Sequence, residues 1–154
     1  VFAEYEKLAK ELLKRPDVNF FHFYVDLEQG PCVIKRMRGC GAGNEYVAIT
    51  PEGDIYPCHQ FVGNDAFKMG NLYDGSFHTD IADQFGGVNI YTKEACRKCW
   101  AKFYCSGGCS ASNFNVNGDI MQPSEVACEL ERKRLECAIA MSAIRSGLAE
   151  PEGE

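Results

Sequence analysis

The chain has 154 residues, a formal net charge of -6, 45% hydrophobic and 25% charged side chains, which is the composition of a soluble globular domain and excludes a disordered one. An acidic excess argues against a nucleic-acid partner, because phosphate binding needs clustered cations. No apolar run approaches the roughly 18 to 20 residues of a membrane span. The acidic opening Val1-Phe2-Ala3-Glu4-Tyr5-Glu6 is unlike a basic secretory signal, so the chain reads as cytoplasmic with no membrane partner.

Residues 2–15 carry apolar side chains at Phe2, Tyr5, Leu8, Ala9, Leu12 and Leu13, the three-to-four spacing of a one-sided helix. Glu4 and Glu6 near its start and Lys14 and Arg15 near its end complement the helix dipole, and Pro16 stops it. The chain opens on Val1 within this helical pattern, which suggests a segment cut from a longer polypeptide. Residues 19–27 form an apolar and aromatic run with Phe20, Phe21, Phe23, Tyr24 and Val25, and predict a strand buried on both faces. One helix cannot cover both faces of a strand, so upstream cover is expected. Gln29-Gly30-Pro31 breaks the pattern and places a boundary near residue 30.

Beyond it, glycines are frequent and strands short. Residues 46–50 and 55–58, joined through Pro51-Glu52-Gly53-Asp54, predict a β-hairpin that returns the chain from Cys40 towards Cys58. Residues 79–85 predict a short helix, and Thr92 is a candidate cap for another that starts before Cys96. Ser124 after Pro123 predicts the start of a long helix running to Arg145 and ended by Gly147, with Glu125, Glu129 and Glu131 preceding Lys133 and Arg134 in the favourable order. The fold class is α+β: a small loop-rich domain with a β-hairpin and a long C-terminal helix.

Nine cysteines stand out: Cys32, Cys40, Cys58, Cys96, Cys99, Cys105, Cys109, Cys128 and Cys137. An odd count without a secretory signal argues against a disulfide framework, and in a reducing compartment such thiol density points to metal. The spacing Cys-x2-Cys-x5-Cys-x3-Cys from Cys96 to Cys109 aims paired thiolates at a shared centre, a pattern found in zinc and iron–sulfur proteins alike. Structural zinc usually separates its two couples by about a dozen residues or more, whereas four cysteines crowd here into positions 96 to 109.

With Cys40-x12-Gly53-x4-Cys58 upstream and Cys128 downstream, the chain resembles the SPASM domain, a cysteine-rich C-terminal extension of radical S-adenosylmethionine enzymes. The resemblance implies two 4Fe-4S clusters with interleaved ligands. Cys96, Cys99, Cys105 and Cys128 would hold the second auxiliary cluster, and Cys40, Cys58 and Cys109 the first. Cys32 is the favoured eighth ligand, and a substrate thiolate is the alternative. Three segments resemble the maturases of six-cysteine SCIFF peptides: Gly39-Cys40-Gly41-Ala42-Gly43-Asn44-Glu45-Tyr46, Tyr56-Pro57-Cys58-His59-Gln60-Phe61-Val62-Gly63, and Cys105-Ser106-Gly107-Gly108-Cys109-Ser110-Ala111-Ser112. Such enzymes form thioether links in a cysteine-rich precursor peptide, which would be the partner.

That resemblance makes residues 1–30 the last helix and strand of a catalytic barrel, 31–147 the SPASM domain and 148–154 a disordered tail. The triplet Cys-x3-Cys-x2-Cys that holds the family's radical-generating cluster is absent, since Ser112 follows Cys105 and Cys109. S-adenosylmethionine and a third 4Fe-4S cluster therefore belong to the preceding barrel, and this chain is expected to be inactive alone. Another radical maturase, such as a sulfatase-maturing one, and a zinc-stabilised interaction module are the competing readings.

Anionic clusters call for compensation, and Lys35, Arg36 and Arg38 precede Cys40 while Lys93, Arg97, Lys98 and Lys102 surround Cys96 and Cys99. A solvated basic face is the plainer reading of the same residues. Gly107 and Gly108 would let backbone N–H groups approach cluster sulfurs, and an early position in the last helix favours a thiolate at Cys128. Cys137 is read as a buried thiol outside the site, His22, His59 and His78 as structural, and Trp100, Phe103 and Tyr104 as an apolar shell.

Overall fold

The computed structural model describes residues 1–27 and 32–150. In chain order the elements are α1 (Phe2–Lys14), a 3₁₀ turn (Phe21–Phe23), α2 (Val33–Arg38), β1 (Ala48–Ile49), β2 (Asp54–Tyr56), 3₁₀ turns at His59–Phe61 and Asp65–Phe67, β3 (Gly70–Asn71), β4 (Ser76–Phe77), α3 (Thr79–Gly86), α4 (Glu94–Arg97), α5 (Lys102–Cys105), α6 (Ser110–Asn117) and α7 (Glu125–Arg145). The mixture of helices with a small antiparallel sheet is the expected α+β class. None of the described helices is long and apolar enough to cross a membrane. The break at Gln29-Gly30-Pro31 and the tail from 151 onward lie outside the described residues.

The chain forms two compact units, one of Val1–Pro31 with Glu125–Glu154 and one of Cys32–Ser124. In the first, α1 turns Ala9 and Leu12 inward, and they pack with Phe23, Cys137, Ala138 and Met141. Tyr5, Leu13, Phe20 and Val25 flank this core. Polar links tie the same surfaces: Lys133 pairs with Glu6, and Arg134 grips Glu131 while donating to the His22 carbonyl at 2.9 Å. α7 begins directly after Ser124 and reaches Arg145, and Gly147 (φ 70°) donates to the Ile144 carbonyl at 3.0 Å, as its sequence predicts. Cys137 is buried in this core.

The expected strand over residues 19–27 is not formed. A single 3₁₀ turn replaces it, and Phe21 and Tyr24 are 80% and 75% exposed. A strand needs a neighbouring edge for its backbone groups, and none of the described strands pairs with this run, so Phe20 and Phe23 join the core around α1 and α7 while Phe21 and Tyr24 stay outside it.

In the second unit the predicted hairpin is present. β1 and β2 pair antiparallel with Ala48 opposite Tyr56, and the turn closes where Gly53 (φ 84°) donates to the Thr50 carbonyl at 2.9 Å. Two further strands extend it to the order β1-β2-β3-β4, all antiparallel, through Ile55 opposite Gly70 and Gly70 opposite Phe77. Asn71 locks the sheet to the turn, donating to the Glu52 carbonyl at 2.9 Å and to Asp54 at 2.7 Å. Behind it Phe61, Phe67, Phe85 and Phe114 interlock, with Phe61 and Phe67 centroids 4.3 Å apart. Burying each such ring stabilises by about 1.5–3 kcal/mol, which anchors a unit otherwise built from short elements.

Candidate metal centre

All nine cysteines are reduced, with no disulfide among the described residues. Seven of the eight predicted ligands lie in the Cys32–Ser124 unit, and Cys128 lies in the fourth position of α7 in the other. Among the described residues, no three cysteine, histidine, aspartate or glutamate side chains converge to the distances of a single ion. A four-iron cluster makes a looser demand, since each thiolate binds its own iron.

Cys40 and Cys58 are drawn together by the hairpin. The Gly43 N–H donates to the carbonyls of Tyr46 and Pro57 at 2.9 and 2.8 Å, which ties the Cys40 loop to the residue before Cys58. The Tyr46 hydroxyl reaches Cys40 Sγ at 4.0 Å. Partial burial, then the neighbouring Cys40 and Cys58 thiolates, push that hydroxyl well above its ordinary pKa. The neighbours of Cys109 join the same region: a cavity of about 20 Å³ is lined by Cys40 together with Gly108 and Ser110, which flank Cys109. Gln60 Nε2 stands 3.6 Å from Cys109 Sγ. Cys32 precedes α2, and Lys35 on that helix bonds Glu45 at 2.6 Å. The Glu45 bond raises the Lys35 pKa against the desolvation that lowers it.

Cys96 and Cys99 share one turn, with the Cys99 N–H donating to the Cys96 carbonyl at 3.0 Å. Cys96 is buried on α4, and Cys105 closes α5, which packs against α2. From Cys105 the chain passes through three left-handed residues, Ser106, Gly107 and Gly108, before Cys109. The basic residues divide. Arg97 and Lys98 are exposed, Lys102 donates to the Arg97 carbonyl at 2.7 Å and lies over the Tyr91 and Phe103 rings, and Lys93 is buried at 1% exposure.

Thr92 does not cap α4. Its single hydroxyl proton faces the Gly87 and Asn89 carbonyls, both within hydrogen-bond distance, while Asn89 Oδ1 accepts from the Tyr91 and Thr92 N–H groups, so the Asn89 side chain builds the turn and Lys93 takes the cap position. Trp100, Phe103 and Tyr104 are 50%, 39% and 40% exposed, so they do not form an enclosed shell. His22 contacts the Tyr5 hydroxyl at 3.3 Å, and His59 is exposed.

Tyr46, Gln60 and Asn113 were not singled out by sequence. Asn113, 2% exposed, donates to the Gly107 and Ile120 carbonyls at 3.5 and 3.4 Å and accepts from the Ser124 N–H at 3.3 Å. Tyr46 and Gln60 stand in the motif segments around Cys40 and Cys58, and their position beside the ligands was the available signal.

An all-cysteine donor set, with the Gln60 amide beside Cys109 Sγ, suits an anionic iron–sulfur cluster. Residues 40–100 match the family model of SPASM, the iron–sulfur cluster-binding domain. Over those residues the chain is similar to SPASM. An uncharacterized protein of Archaeoglobus fulgidus is 31% identical over 97 residues, 61% of this chain and 23% of that protein. The mycofactocin maturase of Mycolicibacterium smegmatis is 33% identical over 90 residues, 54% and 22% of the two chains. The PqqA peptide cyclase of Xanthomonas campestris is 30% identical over 84 residues, 51% and 22%. The chain thus spans about a quarter of the length of these curated relatives.

Proposed function

We propose that this SPASM domain binds two auxiliary 4Fe-4S clusters, one on Cys96, Cys99, Cys105 and Cys128 and the other on Cys40, Cys58, Cys109 and Cys32, as the C-terminal part of a cytoplasmic radical S-adenosylmethionine peptide maturase. The observation that carries this reading is the register of seven cysteines and Gly53, of which Cys40, Gly53, Cys58, Cys96 and Cys99 lie within the residues that match the cluster-binding family. The loops that bring Cys40, Cys58 and Cys109 to one region support the first cluster. Residues 31–147 are the cluster domain, and residues 1–30, with Phe21 and Tyr24 exposed, belong to the end of the catalytic barrel.

The substrate is a cysteine-rich precursor peptide of the SCIFF type, in which the parent enzyme links a cysteine sulfur to a backbone carbon. The clusters would supply a site for a substrate thiolate or an acceptor for the electron released on closing the link. The chain's residues hold the clusters and screen their charge. A second reading, maturation of a different peptide, is favoured by the likeness to a mycofactocin maturase and a peptide cyclase.

Anaerobic reconstitution tests the cluster reading. The chain should take up about eight irons and eight sulfides, and Cys99→Ala or Cys105→Ala should each lose about half. One or two zincs without sulfide, or unchanged iron in both variants, would refute it. Cross-linking assays of the parent enzyme with SCIFF and unrelated peptides separate the two substrate readings.

A further inference from the structure

Lys93 belongs to a segment that sequence reads as a solvated basic face, yet its side chain is fully enclosed, at 1% exposure. A lysine has a stem long enough to carry its ammonium out to water, so retention inside marks a position where the charge is held by its surroundings. The backbone fixes it to the ligand turn: its carbonyl accepts from the Cys96 N–H at 3.0 Å and the Arg97 N–H at 3.2 Å. The ammonium crosses to the other ligand loop and donates to the Gly107 carbonyl at 2.8 Å, between Cys105 and Cys109. The stem lies against Gly107, where an added Cβ would sit 3.5 Å from Lys93 Cδ. One buried lysine side chain therefore joins the Cys96 turn to the Cys105 loop.

We propose that Lys93 is the counter-charge of the cluster on Cys96, Cys99 and Cys105 and sets its reduction potential, an inference that rests on the cluster reading above. One-electron reduction adds a negative charge to an already anionic cluster. A fixed cation nearby, in a medium that screens little, stabilises the reduced form more than the oxidised one and raises the potential. Lys93 is thus a tuning residue whose charge, more than its volume, matters to the cluster.

The test uses the reconstituted chain, with a potentiometric titration followed by electron paramagnetic resonance. Lys93→Met should keep its iron and shift one of the two cluster potentials to a more negative value, and Lys93→Arg should restore it towards wild type. Equal potentials in wild type and Lys93→Met, with iron retained, overturn the proposal, since a residue serving only to pack would alter retention and leave the potential in place. If the variants fail to hold iron, the wild-type chain labelled with ε-15N lysine decides. The reduced cluster should show a nitrogen coupling from a lysine, and its absence overturns the proposal. Wild-type chain that takes up no iron at all refutes the cluster reading itself.

Discussion

Burial raises the Cys137 thiol above its ordinary pKa, against the opposing influence of Lys133. The unfolded chain ionises this thiol first as pH rises, so the stability it contributes is present below about pH 8.5 and is lost as pH climbs from there through the raised folded value. Cys137→Ala should reduce that alkaline loss in urea titrations and lower stability at pH 7 by about 1 kcal/mol. Its iron content should match wild type, and a loss of iron would place Cys137 in the site. The same physics made Cys137 legible from sequence, since a cysteine outside the motif, nine residues beyond Cys128, is most simply a buried thiol. Lys93 was not legible in this way. Its neighbours Arg97 and Lys98 are exposed, and nothing in the local order of charges distinguishes the one that turns inward.

Among elements, β3 and β4 depend on a close approach that only the paired backbone reveals. Gly70 has φ 145°, and a Cβ built there would lie 2.1 Å from the Ser76 carbonyl oxygen and 2.9 Å from Phe77 Cα. Gly70→Ala should therefore cost about 3 kcal/mol, measured by thermal or urea unfolding, and a stability equal to wild type would show that the β3–β4 pairing is not held as described. The β1–β2 hairpin was readable because its turn chemistry is local: Pro51 and Gly53 favour a reversal whatever surrounds them. Residues 19–27 misled for the opposite reason. Their apolar run is compatible with a strand, but strand formation needs a partner edge, and Phe20 and Phe23 pack with α1 and α7 instead. Thr92 failed as a cap because Asn89, three residues earlier, competes for the same turn and takes the hydroxyl for its own loop.

For the whole molecule, the Cys32–Ser124 unit has two- and three-residue strands and several one-turn helices, so its aromatic core shares the task of order with whatever holds the cysteine loops. Metal-site binding energy is folding energy where ligands come from separate loops. Removing iron with a chelator should speed amide exchange across residues 96–109 and 40–46 while leaving the core around Phe61 and Phe67 protected. Uniform protection in both states would show loops that are ordered without clusters.

The amino-acid order by itself determined the α+β class, both long helices with their stops, the hairpin and the spacing of the ligand cysteines, because propensity, capping, turn chemistry and motif offsets act over a few residues. Tertiary structure alone decided which basic residue is enclosed, that the Tyr46 hydroxyl reaches Cys40 Sγ, and that the Cys40 loop meets the residues flanking Cys109. Those outcomes depend on desolvation and on contacts between segments tens of residues apart, which no local pattern encodes.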